Sequence, residues 1–159
     1  MPARPPLIAL LALLGAAAAS PALAQVSCTV QVPAMSFGNV NVIGSLPIDA
    51  TLGSIEVNCA NSGSKDDNLQ IRTTVSAGRS GDDSQRCMAG PGGALLDYNL
   101  FRNANRTQLW RASSNPPDIL RVPANGSARL QQSVFGRING PASASPGPYS
   151  DALIATVEF

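Results

Sequence analysis

The stretch Tyr149-Ser-Asp-Ala-Leu-Ile-Ala-Thr-Val-Glu-Phe159 decides how the rest of the chain is organised. One alternate set of its side chains is wholly apolar and the other becomes polar toward the end, which predicts a half-buried β-strand. The apolar set is Leu153, Ala155, Val157 and Phe159. Because this strand runs to the last residue, we expect one edge to lack a partner from the chain itself, and an exposed apolar edge invites another chain.

The same alternation with a period of two recurs along the chain, whereas no amphipathic stretch of helical period exceeds a turn or two. Clusters of Gly, Pro and Asn separate the alternating segments and provide the turn signals. Six or more short strands of this kind predict an all-β fold, an immunoglobulin-like antiparallel β-sandwich. The candidate strand faces before the last one are Cys28/Val30/Val32, Ile55/Val57/Cys59, Leu69/Ile71/Thr73/Val75, Leu96/Tyr98/Leu100 and Leu130/Gln132/Val134.

The first residues have the pattern of a secretory signal peptide. Arg4 gives a positive start, residues 7–19 are small and apolar, and Ala22-Leu-Ala24 fits an A-x-A cleavage signal. The apolar run is shorter than the roughly 20 residues that span a bilayer. We therefore predict a signal peptide over residues 1–24 and one exported domain over residues 25–159, with no membrane span after cleavage.

Three cysteines remain in the predicted mature chain, and disulfides persist in exported proteins. Cys28 and Cys59 each share an alternate face with neighbouring Val or Ile residues, so we expect both thiols to point into the core. A bridge between them would join two early strands and close a loop of about 31 residues, which contributes roughly 3 to 4 kcal/mol through chain entropy. Cys87 is then left as a free thiol or an intermolecular link.

Composition argues against catalysis and nucleic-acid binding. The chain has no His, the commonest general base and metal ligand near neutral pH, and its formal net charge of +1 comes without a Lys/Arg cluster. The S-x-x-K match at Ser62 lies in a polar turn, and the aspartate pairs at 66–67 and 82–83 lack the spacing of a calcium loop. Trp110 could mark a carbohydrate site, but its apolar neighbours favour packing. We predict no enzyme, cofactor or metal site, which leaves binding or assembly.

An ordered set of motifs spans the predicted mature chain: Cys28, Phe37-Gly38, Cys59, Leu96-x-Tyr98-Asn-Leu-Phe101, Arg106-Thr107 with Leu109-Trp110, Val134-Phe-Gly-Arg-Ile138, and Gly147-Pro-Tyr149 through Phe159. This set resembles the spore coat protein U domain family, which contains subunits of archaic chaperone-usher pili. The resemblance implies a pilin-like sandwich that lacks its own last strand. It also implies a periplasmic chaperone that lends a strand, an outer-membrane usher, and neighbouring subunits whose N-terminal extensions replace the chaperone strand.

On this sequence, the resemblance makes the C-terminal strand one wall of a strand-acceptor groove in a secreted subunit, at the pilus or cell surface, with a role in attachment and biofilm. The groove residues that it implies are Leu153, Ala155, Val157 and Phe159, joined by Leu130 and Val134 from a neighbouring strand. Cys87 has no partner in the family's two-cysteine pattern, and we expect a buried, unpaired thiol.

One feature departs from the family. Cleavage after Ala24 leaves only Gln25-Val-Ser27 ahead of the first cysteine, whereas a donor strand needs an alternating segment of roughly ten residues. We therefore expect a subunit that accepts a strand without donating one, as at a fibre tip. The alternative is a self-contained secreted coat or carbohydrate-binding domain that never polymerises, with its groove filled by its own stretch Phe37 to Pro47.

Overall fold

The computed structural model describes residues 25–41, 47–141 and 144–159, so the predicted signal peptide over residues 1–24 lies outside the described residues. Within these ranges, no helix is long and apolar enough to cross a membrane. The described strands are β1 (Val26–Gln31), β2 (Ile48–Asn61), β3 (Asp67–Val75), β4 (Arg86–Ala89), β5 (Leu95–Phe101), β6 (Asp118–Val122), β7 (Gly126–Gly140) and β8 (Ala155–Glu158), with short 3₁₀ turns at Gly78–Ser80 and Pro91–Gly93.

These strands form two antiparallel sheets, and the predicted all-β sandwich is confirmed. One sheet has five strands in the order β1-β2-β7-β5-β4, and the other has three in the order β6-β3-β8. The core lies between them in two clusters of inward-facing side chains. One cluster centres on Trp110 and Ile138, and the other on Val57 and Ile71. Alternation with a period of two arises because each strand presents one face to this core.

The central pair, β2 and β7, is antiparallel along almost its whole length, with a register shift between Thr51 and Gly53. Leu52 is the extra residue of this bulge. Gly53 has a φ of 145°, a backbone conformation that glycine adopts without a steric penalty from a Cβ atom. The bulge therefore re-aims Leu52, which becomes part of the groove described below.

The cysteines lie as the sequence predicts. Cys28 and Cys59 are directly opposite each other on β1 and β2 and form a disulfide. The bridge joins two neighbouring strands of the same sheet. Cys87 lies on β4, where its thiol is free and its side chain is buried.

Two features differ from the sequence-based expectations. Strands β4 and β6 are additional to the predicted segments, and they are only 4 and 5 residues long. Alternation places Val30 and Val32 on a core-facing side, yet they are 41% and 47% exposed. On the same side of the chain, Val26 and Cys28 pack against the core, so burial is lost toward the end of β1.

Candidate functional site

A groove of about 750 Å³ lies at one side of the sandwich. One wall is the segment 32–40, which follows β1, and the other wall is the segment 147–153, which precedes β8. The floor comes from the five-stranded sheet, mostly from the inward face of β5, and is apolar. The floor residues are Leu52, Met88, Leu96, Tyr98, Leu100 and Ile138.

The first wall is held by apolar packing. The ring of Phe37 meets the ring of Tyr98 edge-on, with 5.9 Å between centroids. It also lies over Gly136, where an added Cβ atom would come within 2.6 Å of the ring. Met35 and Val40 pack against the same cluster. Among the described residues, no hydrogen bond joins segment 32–40 to another element, so side-chain contacts fix its position.

The second wall is held by hydrogen bonds. Ala89 at the end of β4 exchanges two backbone hydrogen bonds with Ser150, at 2.9 and 3.0 Å. Farther along, the N–H of Ser76 donates to the carbonyl of Ile154 at 2.9 Å, and the N–H of Ile154 donates to the Ser76 hydroxyl at 2.9 Å. The second wall therefore runs from β4, at the edge of the five-stranded sheet, to the end of β3 in the three-stranded sheet, and hydrogen bonds hold it at both ends.

Asp151 carries the only formal charge among the described side chains that line the groove. Its Oδ2 accepts a hydrogen bond from the Tyr98 hydroxyl at 2.8 Å, and its Oδ1 accepts from the backbone N–H of Arg79 at 3.0 Å and of Ala152 at 2.9 Å. Burial, followed by the contact with Asp151, raises the pKa of Tyr98 well above its ordinary value. The carboxylate already accepts three hydrogen bonds from this chain and the floor of the groove is apolar, so the groove suits an apolar partner.

Strand β8 lies at the edge of its sheet and pairs only with β3 among the described residues. The segment that leads into β8 lines the groove through Leu153. Three apolar side chains of the segments before and after the groove walls are exposed, Val30 at 41%, Val32 at 47% and Phe159 at 61%, and Val32 lines the groove. An unpaired strand edge beside uncovered apolar side chains is a template for an added strand.

The structure brings some of the predicted groove residues together and separates others. Leu153 lines the groove, and Ala155 packs against the cluster beneath it. Val157 packs against the second core cluster, together with Leu130 on β7. Val134 is fully buried in the first cluster, and Phe159 is largely exposed at the end of the chain. Whether these residues contact another chain stays a prediction.

Sequence reasoning missed the wall at 32–40 and the floor from β5 as parts of this site. One weak signal was available, because Met35 and Phe37 are two residues apart, but they fall on the opposite alternate set to Val30 and Val32. The stretch Phe37 to Pro47 is the alternative candidate for a strand that fills the groove. Of it, residues 42–46 lie outside the described residues, and residues 37–41 form no strand. The described part of the chain also holds no group of three or more side chains suited to a metal ion.

The fold and the open groove define a β-sandwich with an unpaired edge. The family described as Spore Coat Protein U domain matches residues 13–156. The chain therefore belongs to the Spore Coat Protein U domain family.

A similar solved structure is a chain in the CsuC-CsuE chaperone-tip adhesion subunit pre-assembly complex from archaic chaperone-usher Csu pili of Acinetobacter baumannii. The two chains superpose with a TM-score of 0.52 at 18% sequence identity, over 84% of this chain and 40% of that one. At this identity the likeness establishes a shared fold, and the present chain spans well under half of its neighbour. No curated protein matches the chain.

Proposed function

We propose that this chain is a subunit of a surface pilus and that its groove accepts a β-strand, first from a periplasmic chaperone and then from a neighbouring subunit after transfer by an outer-membrane usher. The observation that carries the proposal is the unpaired edge of β8 beside an apolar groove. Membership of the Spore Coat Protein U domain family supports it. The structurally similar chain comes from a complex of a chaperone with a tip adhesion subunit, which supports a chaperone partner.

The binding mode is the addition of a strand to a sheet edge. The backbone of the incoming strand pairs with β8, and its alternate side chains enter the groove and contact the floor on β5. Each fully buried Val, Leu, Ile or Phe of that strand contributes about 1.5 to 3 kcal/mol through the hydrophobic effect. The same strand covers Val32, which lines the groove and is 47% exposed.

The proposal includes export and surface location. A chain that carries the predicted signal peptide over residues 1–24 is delivered to the periplasm, where the chaperone meets it and the Cys28–Cys59 disulfide forms. The assembled fibre is extracellular, and attachment to surfaces and biofilm growth are its expected roles.

Two neighbouring residues give a matched test of the groove. Leu153 lines the groove, whereas Ile154 points away from it and is 71% exposed. We expect Leu153→Asp to abolish capture by the chaperone encoded nearest to the gene, because an unpaired charge on the wall costs on the order of several kcal/mol to desolvate. Ile154→Asp should leave capture unchanged. The measurement is the yield and native mass of the periplasmic complex, and equal yields for the two variants would contradict the groove assignment.

Misfolding of Leu153→Asp would also abolish capture, so a second, gain-of-function variant is needed to test the groove itself. A strand of alternating Val and Ile residues, fused after Phe159 through a short turn, should fill the groove and give a soluble monomer without chaperone. A fusion of the same composition with the alternation broken is the control. If the unmodified chain is already a stable monomer without chaperone, the groove is closed by the chain itself. The self-contained coat or carbohydrate-binding function would then replace the pilus function.

A further inference from the structure

A chain of side-chain contacts crosses the groove from the first wall to the second. The ring of Phe37, on the first wall, meets the ring of Tyr98 on the floor edge-on, with 5.9 Å between centroids. The hydroxyl of Tyr98 donates a hydrogen bond to Oδ2 of Asp151, on the second wall, at 2.8 Å. Tyr98 is 3% exposed, and all three residues line the groove. Tyr98 therefore joins the two walls, by packing on one side and by a hydrogen bond on the other.

The Tyr98 hydroxyl is the only side-chain nitrogen or oxygen that the floor contributes among the described residues, since its other members are Leu, Met and Ile. Apolar packing is non-directional and does not fix the wall relative to the floor. A hydrogen bond fixes both a distance and an angle, and a bond to a carboxylate is stronger than one between neutral groups. Between the backbone bonds at Ser150 and Ile154, the bond from Tyr98 to Asp151 is therefore the directional contact that ties the second wall to the floor.

Asp151 is held on its other side as well. Its Oδ1 accepts hydrogen bonds from the backbone N–H groups of Arg79 at 3.0 Å and Ala152 at 2.9 Å. Arg79 belongs to the 3₁₀ turn Gly78–Ser80, and a Cβ atom added at Gly78 would come within 2.2 Å of Oδ2. The carboxylate is therefore enclosed between the floor strand β5 and the turn that follows β3, and a shift of the wall would break bonds to both.

We propose that Tyr98 is a positioning residue of the groove, which acts through Asp151 to hold the wall 147–153 in place so that an incoming strand finds the groove already open. An apolar floor favours closure of a loose wall over it, because closure removes apolar surface from water. The bond from Tyr98 opposes such closure, since it is lost when the wall moves. A preformed groove binds a strand without the cost of ordering its own wall. The inference rests on the proposed function for the identity of the occupant.

Hydrogen exchange of the mature chain, followed by mass spectrometry, tests the role of Tyr98 with a matched pair of variants. Tyr98→Phe and Thr73→Val each delete one buried hydroxyl that donates to a side-chain oxygen, and Thr73 lies outside the groove, where it donates to Gln132 at 2.7 Å. Both variants should destabilise the whole fold and raise exchange in the central strands β2 and β7. Only Tyr98→Phe should raise amide exchange in residues 147–154, by about 10- to 100-fold, because a wall that opens by itself loses the bond to Asp151 and keeps that of Thr73.

Substitutions at Asp151 test whether Tyr98 acts through this residue. An Asn side chain can reproduce all three contacts, since its oxygen accepts from Arg79 and Ala152 and its NH₂ group donates to the hydroxyl oxygen of Tyr98. Asp151→Asn should therefore keep exchange of the wall within about 3-fold of the parent, whereas Asp151→Ala should raise it at least as much as Tyr98→Phe does. Adding Tyr98→Phe to Asp151→Ala should have no further effect, because both changes remove the same bond.

Chaperone capture gives the functional readout. Tyr98→Phe should yield less complex than Thr73→Val, since apparent affinity falls with the fraction of molecules whose groove is open. Three results would overturn the proposal: an equal rise in wall exchange for these two variants, equal capture of both, or an Asp151→Asn wall that exchanges as fast as the Asp151→Ala wall. Hydrogen exchange needs no chaperone and can be measured on the free chain. A parent chain that no chaperone captures therefore counts against the proposed function, whereas normal capture with unchanged wall exchange counts against this inference alone.

Discussion

Removing the buried Arg86 should cost the protein about 4 kcal/mol of folding free energy. Arg86 lies on β4, is fully buried and forms no ion pair within the described residues. Its guanidinium instead donates to four backbone carbonyls: Nε to Ser76 at 2.9 Å, Nη1 to Asp83 at 3.0 Å, and Nη2 to Val75 at 2.9 Å and Trp110 at 2.8 Å. Burial lowers the pKa of this guanidinium, although arginine stays charged in proteins.

The magnitude follows from the carbonyls that Arg86→Met leaves without a donor. Each buried carbonyl that loses its partner costs about 1 to 3 kcal/mol. We take the lower end for all four, because the bonds to Ser76 and Asp83 are only part-buried and the variant also removes the desolvation cost of the guanidinium, and arrive at about 4 kcal/mol. That is a large part of the roughly 5 to 15 kcal/mol that stabilises a typical domain. Arg86→Lys should also destabilise, since one ammonium group cannot reach carbonyls on three separate segments.

Urea unfolding followed by the fluorescence of Trp110 measures the effect, since the chain has one tryptophan. The control is Arg121→Met, because Arg121 has a side chain that is 73% exposed and pairs with Asp66 at the surface. Exposed ion pairs contribute about 0 to 1 kcal/mol, so this variant should unfold almost as the parent does. A loss below about 1 kcal/mol for Arg86→Met, or equal losses for both variants, would refute the reasoning.

Three further predictions concern the disulfide, the first groove wall and alkaline pH. Replacing both Cys28 and Cys59 by Ser should lower stability by roughly 3 to 4 kcal/mol and reduce periplasmic yield, and an unchanged yield would leave the disulfide without a structural role. Gly136→Ala should cost about 1 to 3 kcal/mol, because the methyl group displaces the Phe37 ring. In a Phe37→Ala background the cost should shrink, as a double-mutant cycle would detect. The raised pKa of Tyr98 means that its contribution is complete below about pH 10, the pKa in the unfolded chain, and is lost as the pH rises further. Tyr98→Phe should therefore flatten the alkaline fall in unfolding free energy, and an unaltered pH profile would contradict this assignment.

The strands that sequence analysis predicts are those whose inward residues are mostly apolar over at least three alternations. β3 and β7 each carry one polar residue in this set, Thr73 and Gln132. Both are buried, and the fold tolerates them because the Thr73 hydroxyl donates a hydrogen bond to Gln132 across the sheets. The alternation of apolar residues does not predict β4, and the reason is physical. Its inward residue Arg86 is charged, and only the four carbonyls brought together by the tertiary fold make its burial tolerable.

The groove is only partly predictable from sequence. Alternation in residues 149–159 is local information and predicts a C-terminal strand, but of the predicted groove residues only Leu153 lines the groove, because its wall at 147–153 precedes β8. The opposite wall depends on Phe37 fitting over Gly136, about a hundred residues away, and a glycine on an inward strand face gives no hydrophobic signal.

The two groove walls differ in how they are held, and this difference bears on strand exchange. The wall at 147–153 is tied by backbone hydrogen bonds to β4 and by Asp151 to Tyr98, and β8, which follows it, is held by its pairing with β3. The wall at 32–40 is held by side-chain packing, chiefly of Phe37. Packing contacts are non-directional, whereas hydrogen bonds fix register. On the proposed function, β8 therefore sets the register of each donor strand, and the 32–40 wall adjusts to its side chains. A chaperone strand and a subunit strand of different sequence could then occupy the same groove in turn.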